Sequence, residues 1–302
     1  MAALQQVLKM SIQAQGEDTN PPSEVFQPMG QENKEWLSGA LSSFVTNATD
    51  LSKEMKTNLD KISALIEGEV TTDKMQQINE ILEGITAYVD DLDLAKDFVH
   101  TGGHDVMLKC LNYKPLIMES CEILACIAQN NPKVQHIILQ TNPIPIYLSL
   151  ISDQSLGEIE KKKVLYALSC LCRGFEPAIQ VFKSEKGIYK IIPFIENLDS
   201  LLATKAVFLI KTLVSEDFSL KEEILSSGML EILINKLKEP RNATHEHILT
   251  LLYSCLTDNK DTIAFCKQPS TGLIQILNNY ENQQEILEEE IQACREIKAL
   301  LV

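Results

Sequence analysis

Eight cysteines and five histidines are the residues of this chain best suited to metal binding or nucleophilic chemistry. Cys170 and Cys172 are two residues apart, a spacing that points their side chains in different directions on a helix. No Cys-x-x-Cys pair occurs, and the cysteine spacing matches no common zinc motif. We therefore expect free, reduced thiols that serve as small packing residues, and no bound metal.

The histidines occur in two short clusters that invite an acid–base or metal interpretation. His100 and His104 have a four-residue spacing, but Gly102 and Gly103 interrupt the helix between them. His245 and His247 lack the carboxylate pattern of a zinc protease. Nucleotide-binding glycine motifs and the Gly-x-Ser-x-Gly elbow are also missing from the sequence. We predict no catalytic residue, no cofactor and no enzymatic activity.

The charge balance bears on possible partners. Acidic residues number 42 against 27 basic ones, for a net charge of −15. Such a chain repels phosphate backbones and anionic lipid surfaces, so nucleic acid and membranes are poor partners. The first residues lack the apolar core of a secretory signal, and no apolar run approaches the roughly 18 residues of a spanning helix. These features predict a soluble, intracellular protein.

An internal repeat sets the expected fold. A Gly or Asn followed four and five residues later by apolar residues recurs at intervals of 39 to 45 residues. The spacing is typical of armadillo and HEAT repeats. We expect each of these residues to adopt positive φ where one helix ends and the next begins. The five positions are Gly103, Asn142, Gly187, Gly228 and Gly272.

Three helices fit into each interval, which favours the armadillo design. The third is clearest in KKKVLYALSCLCRG, where Val164, Leu165, Leu168 and Leu171 fall at helical spacing. The prediction is an all-α, right-handed superhelical armadillo solenoid with helical caps, whose third helices line a concave face. We expect an amphipathic segment at 1–15, a linker at 16–30, two helices within a capping region at 31–74, four full repeats and one incomplete repeat at 75–280, and a C-terminal capping helix at 281–302.

The third helices lack the Trp/Asn ladder with which importin-type armadillo proteins bind localisation peptides. The corresponding columns, aligned on the repeat, hold Glu122, Tyr166, Phe208 and Leu251, and then Cys126, Cys170, Thr212 and Cys255. The run Lys161–Lys163 is too short for a nucleic-acid patch, but it could contact a protein partner.

At this level of detail the chain resembles a specific family, the cytosolic armadillo-type nucleotide exchange factors of 70-kDa heat shock chaperones. The strings LQQVLKMSIQA, EVFQPMGQENKEWLSGAL, YVDDLDLAKDFVHTGG, YALSCLCR, TKAVFLIKTLV and HEHILTLLYSCLTD are similar to family segments in the same order. The similarity extends over nearly the whole chain.

The resemblance implies a non-enzymatic co-chaperone that wraps one lobe of the chaperone's ATPase domain and promotes ADP release and nucleotide exchange, followed by client release. The family carries a basic residue at the position of Lys205 and an Ala at that of Ala95. The expected partner-binding residues are Ala95, Lys163, Tyr166, Cys170, Lys205 and Phe208. The apolar stripe expected to imitate a client is Leu4, Val7, Leu8 and Ile12. A general armadillo scaffold or peptide carrier is the alternative.

Overall fold

A computed structural model describes residues 31–67, 71–196, 201–281 and 287–302. The N-terminal segment 1–15 and the linker 16–30 lie outside the described residues. The chain divides into two compact units, residues 1–58 and residues 59–302. The prediction of an all-helical protein is confirmed, because the described ranges contain helices and turns and no strand.

Helix α1 (Gln31–Ile66) is 36 residues long and contributes residues 31–58 to the first unit. The prediction of two helices in this region is wrong. The segment has no proline and one glycine, Gly39, at which an added Cβ would meet nothing within 4 Å. Without a residue that removes a backbone donor or requires positive φ, the helix continues through its polar middle.

The second unit begins with the last turns of α1 and with α2 (Thr72–Thr86), whose N-cap Thr71 accepts a hydrogen bond from the Lys74 backbone N–H. Fifteen further helices follow as five groups of three. The first helices of the groups are α3 (Leu92–His100), α6 (Pro132–Gln140), α9 (Glu176–Ser184), α12 (Leu220–Ser226) and α15 (Lys260–Cys266). The second helices are α4 (Gly103–Cys110), α7 (Pro143–Ser152), α10 (Gly187–Glu196), α13 (Met229–Lys236) and α16 (Leu273–Glu281). The third helices are α5 (Ile117–Ala128), α8 (Glu158–Cys172), α11 (Leu201–Glu216), α14 (Thr244–Leu256) and α17 (Glu288–Leu301).

The third helices pack against one another in chain order, starting from α2 and ending at α17. The helical spacing predicted for α8 is confirmed, since Val164, Leu165, Leu168 and Leu171 are all at most 1% exposed. Helix α17, predicted as the C-terminal capping helix, packs on α14 as the third helix of the fifth group. Its buried Cys294 and Ile297 continue the apolar stripe of the preceding third helices.

The reversal between first and second helices occurs at the predicted repeat positions. Asn142, Gly228 and Gly272 have φ of 53°, 77° and 62°, as expected. In the first and third groups the left-handed residue lies one position earlier, at Gly102 and Lys186. The expectation that Gly103 and Gly187 have positive φ is therefore wrong.

Gly103 and Gly187 are glycines for a steric reason. Each is buried at the first position of a second helix and lies against the aromatic ring of the preceding first helix. A Cβ on Gly103 would lie 2.6 Å from the Phe98 ring, and one on Gly187 would overlap the Phe182 ring. Both rings are fully buried and have no room to move.

A buried polar network joins α17 to the fourth group. The Glu290 side chain is 1% exposed and accepts hydrogen bonds from Arg241 at 2.7 Å and from the Tyr280 hydroxyl at 2.8 Å. The Leu287 backbone N–H donates to the same carboxylate at 2.9 Å. Three sets of donors offset the cost of burying this charge. His245 stacks on the Tyr280 ring at 5.7 Å.

Candidate functional site

The candidate site is the face of the third helices that no neighbouring helix covers. On α8 and α11 it carries Lys163 and Tyr166, then Lys205 and Phe208, which lie one helical turn apart in each pair. Phe208 and Tyr166 are half-buried, whereas Lys205 is exposed. We call these four residues and their neighbours on α14 the third-helix face.

On α14, the residues that the repeat alignment matched to the face of the other third helices are displaced by one position. Leu251 and Cys255 are fully buried in the core, and Thr250 and Ser254 are the half-buried residues on the outward side. The alignment was made on Gly228, but the loop before α14 differs in length from the other loops. A shift of one residue rotates a helical position by about 100°, which exchanges core for surface.

An ion pair and a hydrogen bond connect the α8 side chains to the preceding repeat. Lys163 Nζ lies 2.5 Å from Glu122 on α5, and both side chains are about one-third exposed. The Tyr166 hydroxyl donates to Gln129 Oε1 at 3.2 Å. The charge of Lys163 is therefore already paired with Glu122 within the solenoid, and the Tyr166 hydroxyl is bonded to the neighbouring helix region.

A second set of contacts joins α11 to α14. The Phe208 and His247 rings meet edge to face with centroids 5.7 Å apart. Lys211 Nζ lies 5.3 Å from the centre of the Phe208 ring, within the range of a cation–π interaction. About one turn earlier on both helices, the hydroxyls of Thr204 and Thr244 share a hydrogen bond of 2.7 Å.

The electrostatics of this second set are cationic. Burial lowers the pKa of His247, and the nearby ammonium groups of Lys211 and Lys205 lower it further, against an opposing effect of Glu246. The imidazole is therefore neutral at pH 7. The positive charge at this position therefore comes from Lys205 and Lys211, on a chain whose net charge is −15.

Two of the predicted contact residues do not reach the surface. Ala95 is 1% exposed on α3, a first helix, so its methyl group packs in the core instead of facing a partner. Cys170 is also 1% exposed, although it lies on α8 between Tyr166 and Arg173. Ala95 was placed by the family resemblance and Cys170 by the repeat pattern, and neither distinguishes a small core residue from a small contact residue.

The thiols offer no evident chemistry. All eight cysteines are free, and seven are buried. Burial raises the pKa of Cys170, and burial together with a hydrogen bond to Asp90 raises that of Cys126 to about 12. Thiols held protonated at neutral pH are poor nucleophiles and poor metal ligands. Within the described ranges, no three His, Cys, Asp or Glu residues come together as metal ligands.

Sequence reasoning missed Lys211 and His247. Lys211 lies three residues after Phe208, so its position on the same face could have been found from helical spacing. The His247 contact with Phe208 depends on how far α14 is shifted along α11, and loop lengths did not predict that shift.

Within the described ranges, no helix is both long and apolar enough to cross a membrane.

Comparison with known proteins shows which families and folds this chain is similar to. Residues 94–227 match the SIL1/FES1/HPBP1 C-terminal domain, a segment that includes α8 and α11 but ends before α14. Hsp70-binding protein 1 of Rattus norvegicus is 27% identical over 305 residues, which cover 97% of this chain and 84% of the relative. The Hsp70 nucleotide exchange factor FES1 of Candida albicans is 29% identical over 126 residues, covering 41% of this chain and 43% of the relative.

Solved structures agree on the fold. A designed armadillo repeat protein in complex with a (KR)4 peptide superposes with a TM-score of 0.69 at 13% identity, covering 82% of this chain and 100% of that chain. A computationally designed armadillo protein for modular peptide recognition reaches a TM-score of 0.70 at 12% identity, again over 82% of this chain and 100% of that one. The predicted armadillo fold and the predicted family resemblance are confirmed, since residues 94–227 match the SIL1/FES1/HPBP1 C-terminal domain and the chain superposes on armadillo repeat proteins.

Proposed function

We propose that this protein is a co-chaperone that binds the ATPase domain of a 70-kDa heat shock chaperone and promotes ADP release and nucleotide exchange, leading to client release. The observation that carries the proposal is the similarity to Hsp70-binding protein 1 over 97% of the chain. Relatives that match smaller parts of the chain are named as nucleotide exchange factors.

The third-helix face supports this proposal by its rigidity and chemistry. Lys205 has no hydrogen bond or ion pair within the described ranges, so its charge is available to a partner. Tyr166 and Phe208 add half-buried aromatic surface, which is the type of surface that anchors protein interfaces. Stacked repeats resist bending, so the face can favour one conformation of a bound domain over another.

Exchange follows from such a preference through linkage. If the chain binds the chaperone more tightly in the conformation that holds ADP weakly, binding lowers the ADP affinity, and ADP lowers the affinity for this chain by the same factor. The chaperone supplies all ATP chemistry. We therefore propose that the chain itself is not an enzyme, in keeping with a face built from lysines and aromatic rings.

We also propose a cytosolic location, which the eight free cysteines support, because an oxidising compartment favours disulfides. In the same proposal, residues 1–15 act on the client groove through the stripe Leu4, Val7, Leu8 and Ile12, residues 16–30 are a linker, and residues 31–74 cap the repeats. Cell fractionation of the tagged full chain tests the location.

A peptide carrier is the rival function on the same fold. The similarity to a designed protein in complex with (KR)4 shows how an armadillo scaffold can be used. In this chain Lys205 and Lys211 lie on the third-helix face, where they would repel a basic peptide. The observation favours an acidic partner surface.

Binding of the purified chain to a 70-kDa heat shock chaperone tests the proposal. Calorimetric titration should give a lower affinity with saturating ADP or ATP than without nucleotide, since exchange requires negative coupling. A coupling of about 1 to 3 kcal/mol corresponds to a change of about fivefold to 150-fold in Kd. No binding, or equal affinity with and without nucleotide, would reject the proposed exchange function.

A further inference from the structure

Lys211 and His247 lie on the third-helix face but are not among the residues that the family resemblance suggested. His247 belongs to α14, beyond the end of the matched domain at residue 227. Both side chains contact Phe208, which places them beside Lys205 on the same surface. The face is therefore wider than the segment that the family profile covers.

The polar groups at this position are incompletely satisfied. His247 Nδ1 is buried from water and has no hydrogen-bond partner among the described residues. Lys205 and Lys211 form no ion pair with any described carboxylate. On α8 the situation is different, because Lys163 has its own carboxylate partner in Glu122. Because His247 Nδ1 is buried, only the other ring nitrogen, Nε2, could donate to a partner. Two lysine charges without a described carboxylate partner are the feature that favours an acidic partner group at this position.

The geometry brings these groups around one ring. Phe208 lies one turn from Lys205 and one turn from Lys211 along α11, and the His247 ring lies against it from α14. The hydroxyl bond between Thr204 and Thr244 fixes the two helices relative to each other. The Phe208 and His247 rings are therefore already in contact before a partner arrives, which lowers the entropic cost of binding.

We propose that Lys205, Lys211 and His247, arranged around Phe208, form a receptor for an acidic side chain on the ATPase domain of the chaperone. The inference rests on the proposed function and adds the chemistry of the contact and its extension onto α14. A carboxylate accepts hydrogen bonds from lysine ammonium groups and from an imidazole N–H. An apolar contact would instead leave both ammonium groups unpaired at the interface.

The test uses the full chain and the chaperone's ATPase domain, with Kd measured by calorimetry at about 50 mM and about 300 mM salt. Lys211→Glu should raise Kd at the lower salt by about tenfold, and Lys211→Gln by about threefold. His247→Phe keeps the ring contact with Phe208 and removes the donor, and it should raise Kd by about threefold. Lys190→Glu on the exposed side of α10 makes the same charge change away from the face and should leave Kd unchanged.

The differences should shrink at the higher salt, because screening weakens contacts between charges. Circular dichroism and thermal unfolding confirm that each variant is folded. If Lys211→Glu does not fold, the conservative variant Lys211→Gln still tests the contact. Wild-type affinity of Lys211→Glu and His247→Phe would overturn the inference alone, as would losses that do not depend on salt. Failure of the wild-type chain to bind would overturn the proposed function and the inference with it.

Discussion

Individual glycines in this chain have two different roles that look the same in the sequence. Gly228 and Gly272 provide positive φ at the start of second helices, whereas Gly103 and Gly187 make room for a phenylalanine ring. Both roles produce a glycine at the same place in the repeat, so the pattern located the units correctly. It could not assign the cause, since the rings come from a different helix.

Gly103→Ala should destabilise the protein by about 2 kcal/mol, because the new methyl group would lie 2.6 Å from the fully buried Phe98 ring. Chemical denaturation of the purified variant measures the change in unfolding free energy. Gly84→Ala on α2 is the matched control, with nothing within 4 Å of the added Cβ, and should gain about 0.5 to 1 kcal/mol. Equal stability of the Gly103→Ala variant and wild type would contradict the steric explanation.

Residue positions on the third-helix face were predicted in part. Lys163, Tyr166, Lys205 and Phe208 lie on the face, since helical spacing orients side chains within one helix. Ala95 and Cys170 are core residues, and the α14 column was displaced by one residue. Burial of small side chains and the register between repeats depend on loop geometry and neighbouring helices, which periodicity does not contain.

At the level of elements, the C-terminal helix shows how a solenoid ends. The network of Glu290, Arg241 and Tyr280 attaches α17 to the fourth group, where no further repeat could cover it. Burial tends to raise the pKa of Glu290, but the hydrogen bonds from Arg241, the Leu287 N–H and Tyr280 outweigh it and lower the pKa. Its carboxylate thus stabilises the folded state in the charged form.

Glu290→Ala should cost about 3 kcal/mol, because it leaves the Arg241 guanidinium and the Tyr280 hydroxyl without their partner. Amide hydrogen exchange should show faster opening of α17 than of the central third helices. The exposed Glu289 provides the control, and Glu289→Ala should change the unfolding free energy by less than about 0.5 kcal/mol. Uniform loss of protection along the whole chain would argue against a local anchor.

The same network predicts a pH dependence. Burial lowers the pKa of His245 below its ordinary 6.5, so its contribution to stability is present above that pH and declines as pH falls below it. The lowered pKa of Glu290 adds a contribution that is present above about 4.5 and is lost as pH falls through the folded value. Denaturation midpoints at pH 7, 5.5 and 4 should decrease in that order, and Glu290→Gln should flatten the step below 4.5. A wild-type midpoint that stays constant over this range would refute both assignments.

On the scale of the whole molecule, the fold was the most predictable property. Recurrence of Gly or Asn every 39 to 45 residues identified the armadillo units, because each repeat must reverse the chain twice and share its apolar stripe with its neighbours. The length of α1 was mispredicted for the opposite reason. Terminal elements pack on one side only, so their sequences carry weaker constraints.

Removing residues 1–15 should separate two activities. The stripe Leu4, Val7, Leu8 and Ile12 is proposed to act on the client groove, while the third-helix face acts on the ATPase domain. The truncated chain should accelerate ADP release nearly as well as the full chain, within about twofold, and should release a bound fluorescent client peptide more slowly. A charge-preserving control replaces the four apolar residues by serine in the full-length chain. Equal loss of both activities would reject this division.

We propose that the third-helix face promotes nucleotide exchange. The release rate of a fluorescent ADP analogue from a 70-kDa heat shock chaperone measures this activity. Excess ATP prevents rebinding, and the release rate is followed with and without this protein. The wild-type chain should accelerate release, and Lys205→Glu, with unchanged thermal stability, should require at least about tenfold more protein for the same effect. Release at the unstimulated rate with wild-type protein, or full acceleration by Lys205→Glu, would contradict the proposal that the third-helix face promotes exchange.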